Sequence, residues 1–315
     1  MRDAMTIVTA LLSFGCSVNE PPLPAAPAAR LEHAMIYDEA RHQVLLYGGM
    51  DGGVAMGDLW AWTGTSWAKL SAGGPPARFG AVLAWDPAAS RVLMYGGAAS
   101  GTHLTDLWSW NGTAWTQLPS TGGPGLGHAA GGWDAARSRL VIHRGFSGTA
   151  PERDTWEWNG STWTQVSTAV PVLFGVPLPA PMVYDPVRNA LLMLIGDANT
   201  HVVDLWQWNG TAWTSVTTPP AGDPPSAIAL FGTNDILMMD GRASAGATMA
   251  TWRWNGTTWT NLGITGPPSR FVSRMAWDAS RNQLVLFGGM NASGNGMGDT
   301  WIWNGSSWNQ KFIAE

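Results

Sequence analysis

The chain repeats one stretch six times, first as Trp60-Ala-Trp62-Thr-Gly-Thr-Ser-Trp67. The other copies run from Trp108 to Trp115, Trp156 to Trp163, Trp206 to Trp213, Trp252 to Trp259 and Trp301 to Trp308. In five of the six copies, Asn-Gly follows the second tryptophan. Asn-Gly between alternating aromatic residues is a strong signal for a hairpin with a two-residue type I′ turn. The sequence therefore predicts six tight hairpins.

A two-residue turn places Trp108 opposite Trp115, with Trp110 on the same face because side chains alternate along a strand. Each hairpin then presents three indole rings as one apolar plate. A lone hairpin would leave this plate in water, so the copies are expected to stack on one another. The 21 tryptophans all fit the repeat, eighteen in the hairpins and three, Trp85, Trp133 and Trp277, at the ends of earlier strands.

The hairpins recur at intervals of 48, 48, 50, 46 and 49 residues, and two shorter apolar strands precede each of them. A period of this length with four strands per unit is typical of β-propeller blades. We predict an all-β fold, a six-bladed propeller over residues 30–315 with four antiparallel strands per blade. The blades should follow sequence order and close without strand exchange. Their approximate bounds are residues 30–72, 78–120, 125–168, 173–218, 225–263 and 270–311.

A glycine doublet ends the second strand in three of the units: Gly48-Gly49, Gly96-Gly97 and Gly288-Gly289. The hairpin tryptophans follow each doublet. In the other three units the doublet becomes Arg144-Gly145, Gly196-Asp197 and Gly241-Arg242. This pattern resembles the kelch repeat over residues 30–311. The resemblance implies a kelch-type β-propeller, like the central domain of galactose-oxidase-like proteins.

Composition and charge narrow the range of functions. The 315 residues include 17 Lys and Arg against 22 Asp and Glu, so no basic surface is expected to attract nucleic acid. The single cysteine leaves no intramolecular disulfide and no cysteine-rich metal site. The histidines lack the H-x-H and H-E-x-x-H spacings of metal sites. We predict no cofactor, no metal, no nucleic-acid partner and a monomeric protein.

The first 29 residues differ from the repeats. An apolar stretch from Met5 to Phe14 leads to Cys16, and Leu12-Ser13-Phe14-Gly15-Cys16 resembles the lipobox of a bacterial lipoprotein. The stretch is too short to span a bilayer but suits a cleaved export signal. The resemblance implies a signal peptide over residues 1–15, lipidation of Cys16 and a Pro-rich linker over residues 16–29. The protein would then be lipid-anchored in a bacterial cell envelope, extracytoplasmic on the outer membrane or cell surface. The alternative is a free cysteine in a leader segment.

Binding is expected on the face where the repeats differ. The loop after strand two and the link to the next unit emerge on this loop face, and the Asp and Asn-Gly turns emerge on the opposite turn face. Loops on a rigid scaffold commonly carry function. Arg30, Arg78 and Arg270 are predicted at the loop-face rim of the central channel, where they could hold an anion, with His33 and His128 nearby. The alternative is that each arginine covers backbone at a blade junction.

Two classes of function fit these observations. The main prediction is a membrane-tethered binding propeller, without catalytic residues, that recognises a protein or a glycan through its loop face. The alternative is a kelch-type carbohydrate-active enzyme acting at the channel, either sialidase-like or a sugar mutarotase with Glu32 or Glu152 as its acid or base. The S-x-D-x-G-x-T-W box of sialidases is absent. A copper radical oxidase is excluded because it needs a Tyr–Cys crosslink and the only cysteine lies in the leader.

Overall fold

The computed structural model describes residues 26–70, 73–146, 151–167, 180–196, 203–219, 225–241 and 246–312. Cys16 and the signal peptide lie outside the described residues. The described chain forms six four-stranded antiparallel sheets, each built from strands in sequence order, with a small two-stranded hairpin inserted in each of the first two. The sheets are the blades of a β-propeller, as the repeat predicted. In the described part of the chain, no helix has the length and apolarity to cross a membrane.

The first blade consists of β1 (Ala34–Asp38), β2 (Gln43–Tyr47), β5 (Leu59–Trp62) and β6 (Trp67–Leu70), with β3 (Met50–Asp51) and β4 (Val54–Ala55) forming a small hairpin. The second consists of β7 (Val82–Asp86), β8 (Arg91–Tyr95), β11 (Leu107–Trp110) and β12 (Trp115–Leu118), with a small hairpin of β9 (Ala98–Ala99) and β10 (Thr102–His103). The third consists of β13 (Ala130–Asp134), β14 (Arg139–Phe146), β15 (Pro151–Trp158) and β16 (Trp163–Ser167). The fourth consists of β17 (Met182–Asp185), β18 (Ala190–Gly196), β19 (Val203–Trp208) and β20 (Trp213–Thr217). The fifth consists of β21 (Pro225–Phe231), β22 (Asp235–Asp240), β23 (Thr251–Trp254) and β24 (Trp259–Asn261). The sixth consists of β25 (Arg274–Asp278), β26 (Gln283–Phe287), β27 (Thr300–Trp303) and β28 (Trp308–Phe312).

The ring closes by packing and by backbone hydrogen bonds between the first and last blades. The first strands of neighbouring blades contact one another all around the channel, including β1 with β25. The Arg30 amide donates to the Met297 carbonyl at 3.0 Å, and the Gly289 amide donates to the Arg30 carbonyl at 2.9 Å. The sixth blade has its own outer strand, β28. The prediction of closure without strand exchange is confirmed.

The hairpin register differs from the predicted one. The second tryptophan, not the first, pairs with the third: Trp110 lies opposite Trp115 and Trp108 lies opposite Gln117. The turn therefore has four residues. The Asn111 side-chain oxygen accepts the amides of the residues two and three positions ahead, at 2.9 Å each. Positive φ is confined to the glycine, so the type I′ turn is not formed.

The indole plates pack between blades, as the repeat predicted, and the second tryptophan of each hairpin is deeply buried. The second tryptophan of each hairpin is at most 2% exposed. Six hydrophobic clusters, one at each blade junction, contain these tryptophans. At three junctions the third tryptophan also donates its indole N–H to a threonine of the preceding blade, at 2.9 Å in each case: Trp67 to Thr300, Trp213 to Thr155 and Trp308 to Thr251. Since the clusters surround the channel, they fix the positions of the strands that line it.

Candidate functional site

The first strands of the blades enclose a central channel with a cavity of about 560 Å³. Its wall is largely apolar, with long side chains from Ile36, Met182, Ile228 and Met275. The first strand of each blade begins at the loop face and ends at the turn face. The loop-face mouth is therefore formed by the beginnings of these strands, and the turn-face mouth by their ends.

Arg78 is fully buried and pairs with an aspartate of its own blade. Its guanidinium donates to both carboxylate oxygens of Asp106, at 2.6 and 2.7 Å. It also donates to the carbonyls of Gly96 and Pro76. Its backbone amide donates to Met56 of the first blade at 2.9 Å. The same arrangement recurs for Arg30 with Asp58 and for Arg270 with Asp299.

These contacts place the three predicted site arginines at blade junctions. The sequence analysis gave this as the alternative, in which each arginine covers backbone between blades. Each guanidinium already holds a carboxylate, and a ligand anion would have to compete with it. Ligand binding by Arg30, Arg78 and Arg270 stays an untested prediction.

Glu32 and His128 meet at the loop-face end of the channel. The Glu32 Oε2 atom lies 2.7 Å from His128 Nδ1. Each residue stands two positions before the first strand of its blade, and each has a positive φ, 54° and 56°. Val272 of the sixth blade, at the same repeat position, also has a positive φ of 46°, so this backbone conformation belongs to the repeat. Gly80 occupies the same position in the blade between them and donates its amide to the Glu32 carbonyl at 2.8 Å.

The missing side chain of Gly80 makes room for this pair. A Cβ at Gly80 would lie 3.1 Å from the His128 amide nitrogen and 3.3 Å from its Nδ1 atom. The side chains of Glu32 and His128 remain 15% and 24% exposed. Part of each side chain is therefore accessible from the mouth, although the Glu32 Oε2 atom itself is buried. The other predicted acid, Glu152, lies on the third strand of its blade and pairs with Gly145, away from the channel wall.

Arg274 is a cation in the channel wall. It is the first residue of β25 and lines the cavity. Its guanidinium donates to the Ser273 carbonyl at 3.4 Å, and no carboxylate of the described residues lies within 4 Å of it. Burial lowers the pKa of Arg274 and the Glu32 carboxylate opposes that shift. The group stays charged, as arginine does in proteins.

His33 lies one position before β1 and is fully buried. Neither ring nitrogen has a hydrogen-bond partner among the described residues. Burial lowers the pKa of His33 well below its ordinary value, and the charges of Arg274 and Arg30 add to the shift, so the ring is neutral. Its edge packs against Phe287, with ring centroids 5.5 Å apart.

The repeat position of His33 divides the channel mouth into two halves. Ser226 and Ser273 occupy it in the fifth and sixth blades, with their hydroxyl oxygens 2.7 Å apart. The remaining three blades have alanine there: Ala81, Ala129 and Ala180. His33, Ser226 and Ser273 are buried behind the mouth on blades one, five and six. On blades two, three and four, the alanines at this position line the cavity itself. No group of three His, Cys, Asp or Glu side chains in the described chain could hold a metal ion.

The sequence analysis named His33, His128 and Glu32 but missed Arg274. A signal for Arg274 exists inside the repeat. The other five blades have small or apolar residues at its position: Ala34, Val82, Ala130, Pro181 and Ala227. A charged residue at one copy of a position that is otherwise small or apolar is not explained by the contacts that the repeats share.

Comparison with known proteins supports the fold. No protein-family model matches the chain, and no curated protein matches it either. Solved structures do match, in 510 chains, and the structure of YjhT is among them. That propeller superposes with a TM-score of 0.65 over 92% of this chain and 99% of its own, at 13% sequence identity. At this identity the likeness shows the fold alone.

Proposed function

We propose that this chain is a binding propeller that takes the anionic end of its ligand into the loop-face mouth of the central channel. Arg274 carries the proposal, because its guanidinium is charged, lies in an apolar channel wall and has no carboxylate partner among the described residues. An unneutralised charge in such a setting is costly, and a ligand carboxylate would remove that cost.

The groups around Arg274 do not neutralise its charge. The neutral ring of His33 and the hydroxyls of Ser226 and Ser273 are buried on the same side of the channel, and the two hydroxyls bond each other at 2.7 Å. The alanine side of the mouth leaves space for the body of the ligand. The ligand is therefore expected to lie with its carboxylate against Arg274 of the sixth blade.

The carboxylate could come from a glycan or from a protein, and binding calorimetry distinguishes the two. Glucuronic acid is compared with glucose, and an N-acetylated dipeptide with a free C-terminal carboxylate is compared with its amide. If the carboxylate belongs to a glycan, glucose should bind at least about tenfold more weakly than glucuronic acid. If it belongs to a protein, the dipeptide amide should bind at least about tenfold more weakly than the dipeptide carboxylate. Both ratios are those expected for a hydrogen bond to a charged group. If neither carboxylate binds, the proposal fails.

Arg274→Ala supplies the matched variant. Alanine stands at this position in three other blades, at Ala34, Ala130 and Ala227, so the fold accepts it. We expect this variant to lose about tenfold or more in affinity for the carboxylate while it unfolds at the same temperature as the parent. Arg253→Ala, on an exposed arginine, is the control and should bind normally. Unchanged binding by Arg274→Ala would refute the assignment.

The pair of Glu32 and His128 favours a second candidate function, that of a sugar mutarotase. A carboxylate 2.7 Å from an imidazole can take a proton from one sugar oxygen and return it to another, which is what anomer exchange requires. Magnetisation-exchange NMR on candidate sugars would show faster exchange with the protein present. Glu32→Gln should abolish that acceleration, and an acceleration that persists would rule out this pair.

Export and lipid tethering form a further part of the proposed function, supported by the lipobox-like sequence that ends at Cys16. In a bacterial host, radiolabelled palmitate should enter the protein, and Cys16→Ser should abolish both the label and the membrane association. Label in the Cys16→Ser variant, or none in the parent, would contradict the proposal.

A further inference from the structure

A second set of side chains lines the channel at its turn-face end. The residue before the last position of the first strand is aromatic in five blades and leucine in one: Tyr37, Trp85, Trp133, Tyr184, Trp277 and Leu230. All six line the channel cavity, and all six are partly exposed. We call these six residues the aromatic collar.

The collar residues pack on one side against the hydrophobic clusters of the blade junctions, and the part that lines the channel is mainly ring carbon. The indole nitrogens of Trp85 and Trp133 are buried and have no partner among the described residues. The Tyr37 hydroxyl accepts the amide of Ser280 at 3.1 Å. Few donors and acceptors therefore remain for a hydroxyl-rich ligand at this end, whereas electron-rich ring surface is plentiful.

The rim outside the collar carries a negative charge. The residues two positions beyond the collar that line the cavity are Glu39, Pro87, Ala135, Pro186 and Ala279. Glu39 is the charged member, it is exposed, and no cation of the described residues lies within 4 Å of its carboxylate. The aspartates between collar and rim are all paired with arginines of their own blades: Asp38, Asp86, Asp134, Asp185 and Asp278. Glu39 is thus the charged side chain that lines the cavity at this end, and its carboxylate has no cationic partner among the described residues.

We propose that the aromatic collar and Glu39 form a binding site for an organic cation, specifically an alkylated ammonium group. Aromatic faces attract such cations through their quadrupoles, most strongly where water is excluded, and a nearby carboxylate adds direct attraction. Alkyl groups on the nitrogen would contact the ring carbons and the apolar channel wall. The site uses none of the groups at the loop-face mouth, so it stands independently of the proposed function.

The test compares choline with 3,3-dimethylbutan-1-ol, which has the same shape without the charge, by calorimetry on the full chain. Choline is expected to bind saturably and the alcohol to bind at least several-fold more weakly. Trp277→Leu and Trp85→Leu copy Leu230 of the fifth blade and should each weaken choline binding roughly two- to thirty-fold. Glu39→Ala copies the rim residue of the third and sixth blades, and should weaken binding and reduce its salt dependence.

Asp51→Ala is the matched control, because it removes one exposed carboxylate from a loop on the opposite face. It should leave choline binding unchanged. Thermal unfolding of every variant confirms that each one is folded. The proposal is overturned if choline fails to bind, if the alcohol binds equally well, or if Glu39→Ala and Trp277→Leu both bind like the parent. Binding of a neutral disaccharide that Trp277→Leu abolishes would identify a glycan site at the collar and would also overturn it.

Discussion

The guanidinium of Arg78 holds the carboxylate of Asp106 in a two-pronged pair, with the shorter contact at 2.6 Å. The pair joins the segment that leads into the second blade to the start of its third strand, and the arginine also holds the Gly96 carbonyl. Arg78→Ala would leave the Asp106 carboxylate without its charged partner, although the Trp108 indole still donates to it at 2.6 Å, and would remove the arginine donor from the Gly96 carbonyl. We expect the free energy of unfolding to fall by about 3 kcal/mol, as for other broken buried pairs. Urea unfolding followed by tryptophan fluorescence measures the change.

Arg253→Ala provides the comparison for Arg78→Ala. Arg253 pairs with Asp235, but its side chain is 51% exposed. Exposed pairs are screened by water, so this variant should lose about 1 kcal/mol or less. Equal losses in the two variants would contradict a structural role for Arg78. Loss of carboxylate binding in Arg78→Ala with full stability would instead support the anion site that the sequence analysis predicted.

The same ion pairs should make stability depend on pH. Burial alone would raise the pKa of Asp58 and Asp106, but hydrogen bonds from the paired arginine and from a neighbouring indole outweigh burial and lower it. A lowered native-state pKa stabilises the fold above the unfolded-state pKa of about 3.9, and that contribution is lost as pH falls through the lower native value.

We therefore expect the free energy of unfolding to drop as pH falls below about 4, and to drop less steeply in Asp58→Asn. The variant should already be less stable at neutral pH, because the charged partner of Arg30 is gone. Urea unfolding at pH values of about 7, 4 and 3, which bracket the aspartate pKa, tests both statements. An identical pH dependence in the parent and in Asp58→Asn would show that the pair of Asp58 with Arg30 does not couple folding to protonation.

The sequence predicted the architecture because the repeat carries redundant information. Six copies with regular spacing specify six blades even when one turn is misread. The register of the hairpin was wrong for a local reason. The Asn111 side chain accepts two backbone amides, which lengthens the turn to four residues and leaves the positive φ to Gly112 alone. The Asn-Gly dipeptide alone does not show whether the asparagine side chain will accept these backbone amides.

The candidate site was harder to predict for the opposite reason. Arg78 recurs in the repeat, and a recurrent charged residue marks a repeated internal contact, here with Asp106. Arg274 does not recur, and that is why it has no partner built into the blade. Nothing in the sequence shows which charges are neutralised inside the fold, because pairing depends on contacts between strands. Functional residues of a repeat protein are better sought among its exceptions.

A hydrogen bond on the turn face links neighbouring blades, and we call this contact the clasp. It gives a third prediction. Arg41 of the first blade donates to the carbonyl of Asn111 in the hairpin turn of the second blade. Gly112 in that turn has φ of 100°, and a Cβ there would overlap the Arg41 guanidinium. Gly160, in the third blade, has φ of 103° and nothing within 4 Å of the same position.

Gly160→Ala should therefore cost about 1–2 kcal/mol from backbone conformation alone. Gly112→Ala should cost about 1 kcal/mol more, because it also displaces Arg41 from its acceptor. Chemical denaturation of both variants measures the difference. Adding Arg41→Ala to Gly112→Ala should lower stability further, because Arg41 also pairs with the buried carboxylate of Asp38. Equal losses at the two glycines would show that the clasp contributes nothing to stability.

The last prediction concerns ring closure. Trp67 of the first blade donates its indole N–H to Thr300 of the sixth blade at 2.9 Å, and the threonine is fully buried. Thr300→Val keeps the shape and removes the acceptor, so the indole N–H loses its partner, at a cost of about 1–2 kcal/mol. Thr116→Val, on an exposed strand position, should leave stability unchanged.

Hydrogen exchange shows where in the ring the loss of the Thr300 acceptor acts. The amides of Arg30 and Gly289, which bridge the first and sixth blades, should exchange faster in Thr300→Val, while those of the third blade should not. Equally faster amide exchange in all blades would mean that the blades open together. The junction between the first and sixth blades would then not be the first to open.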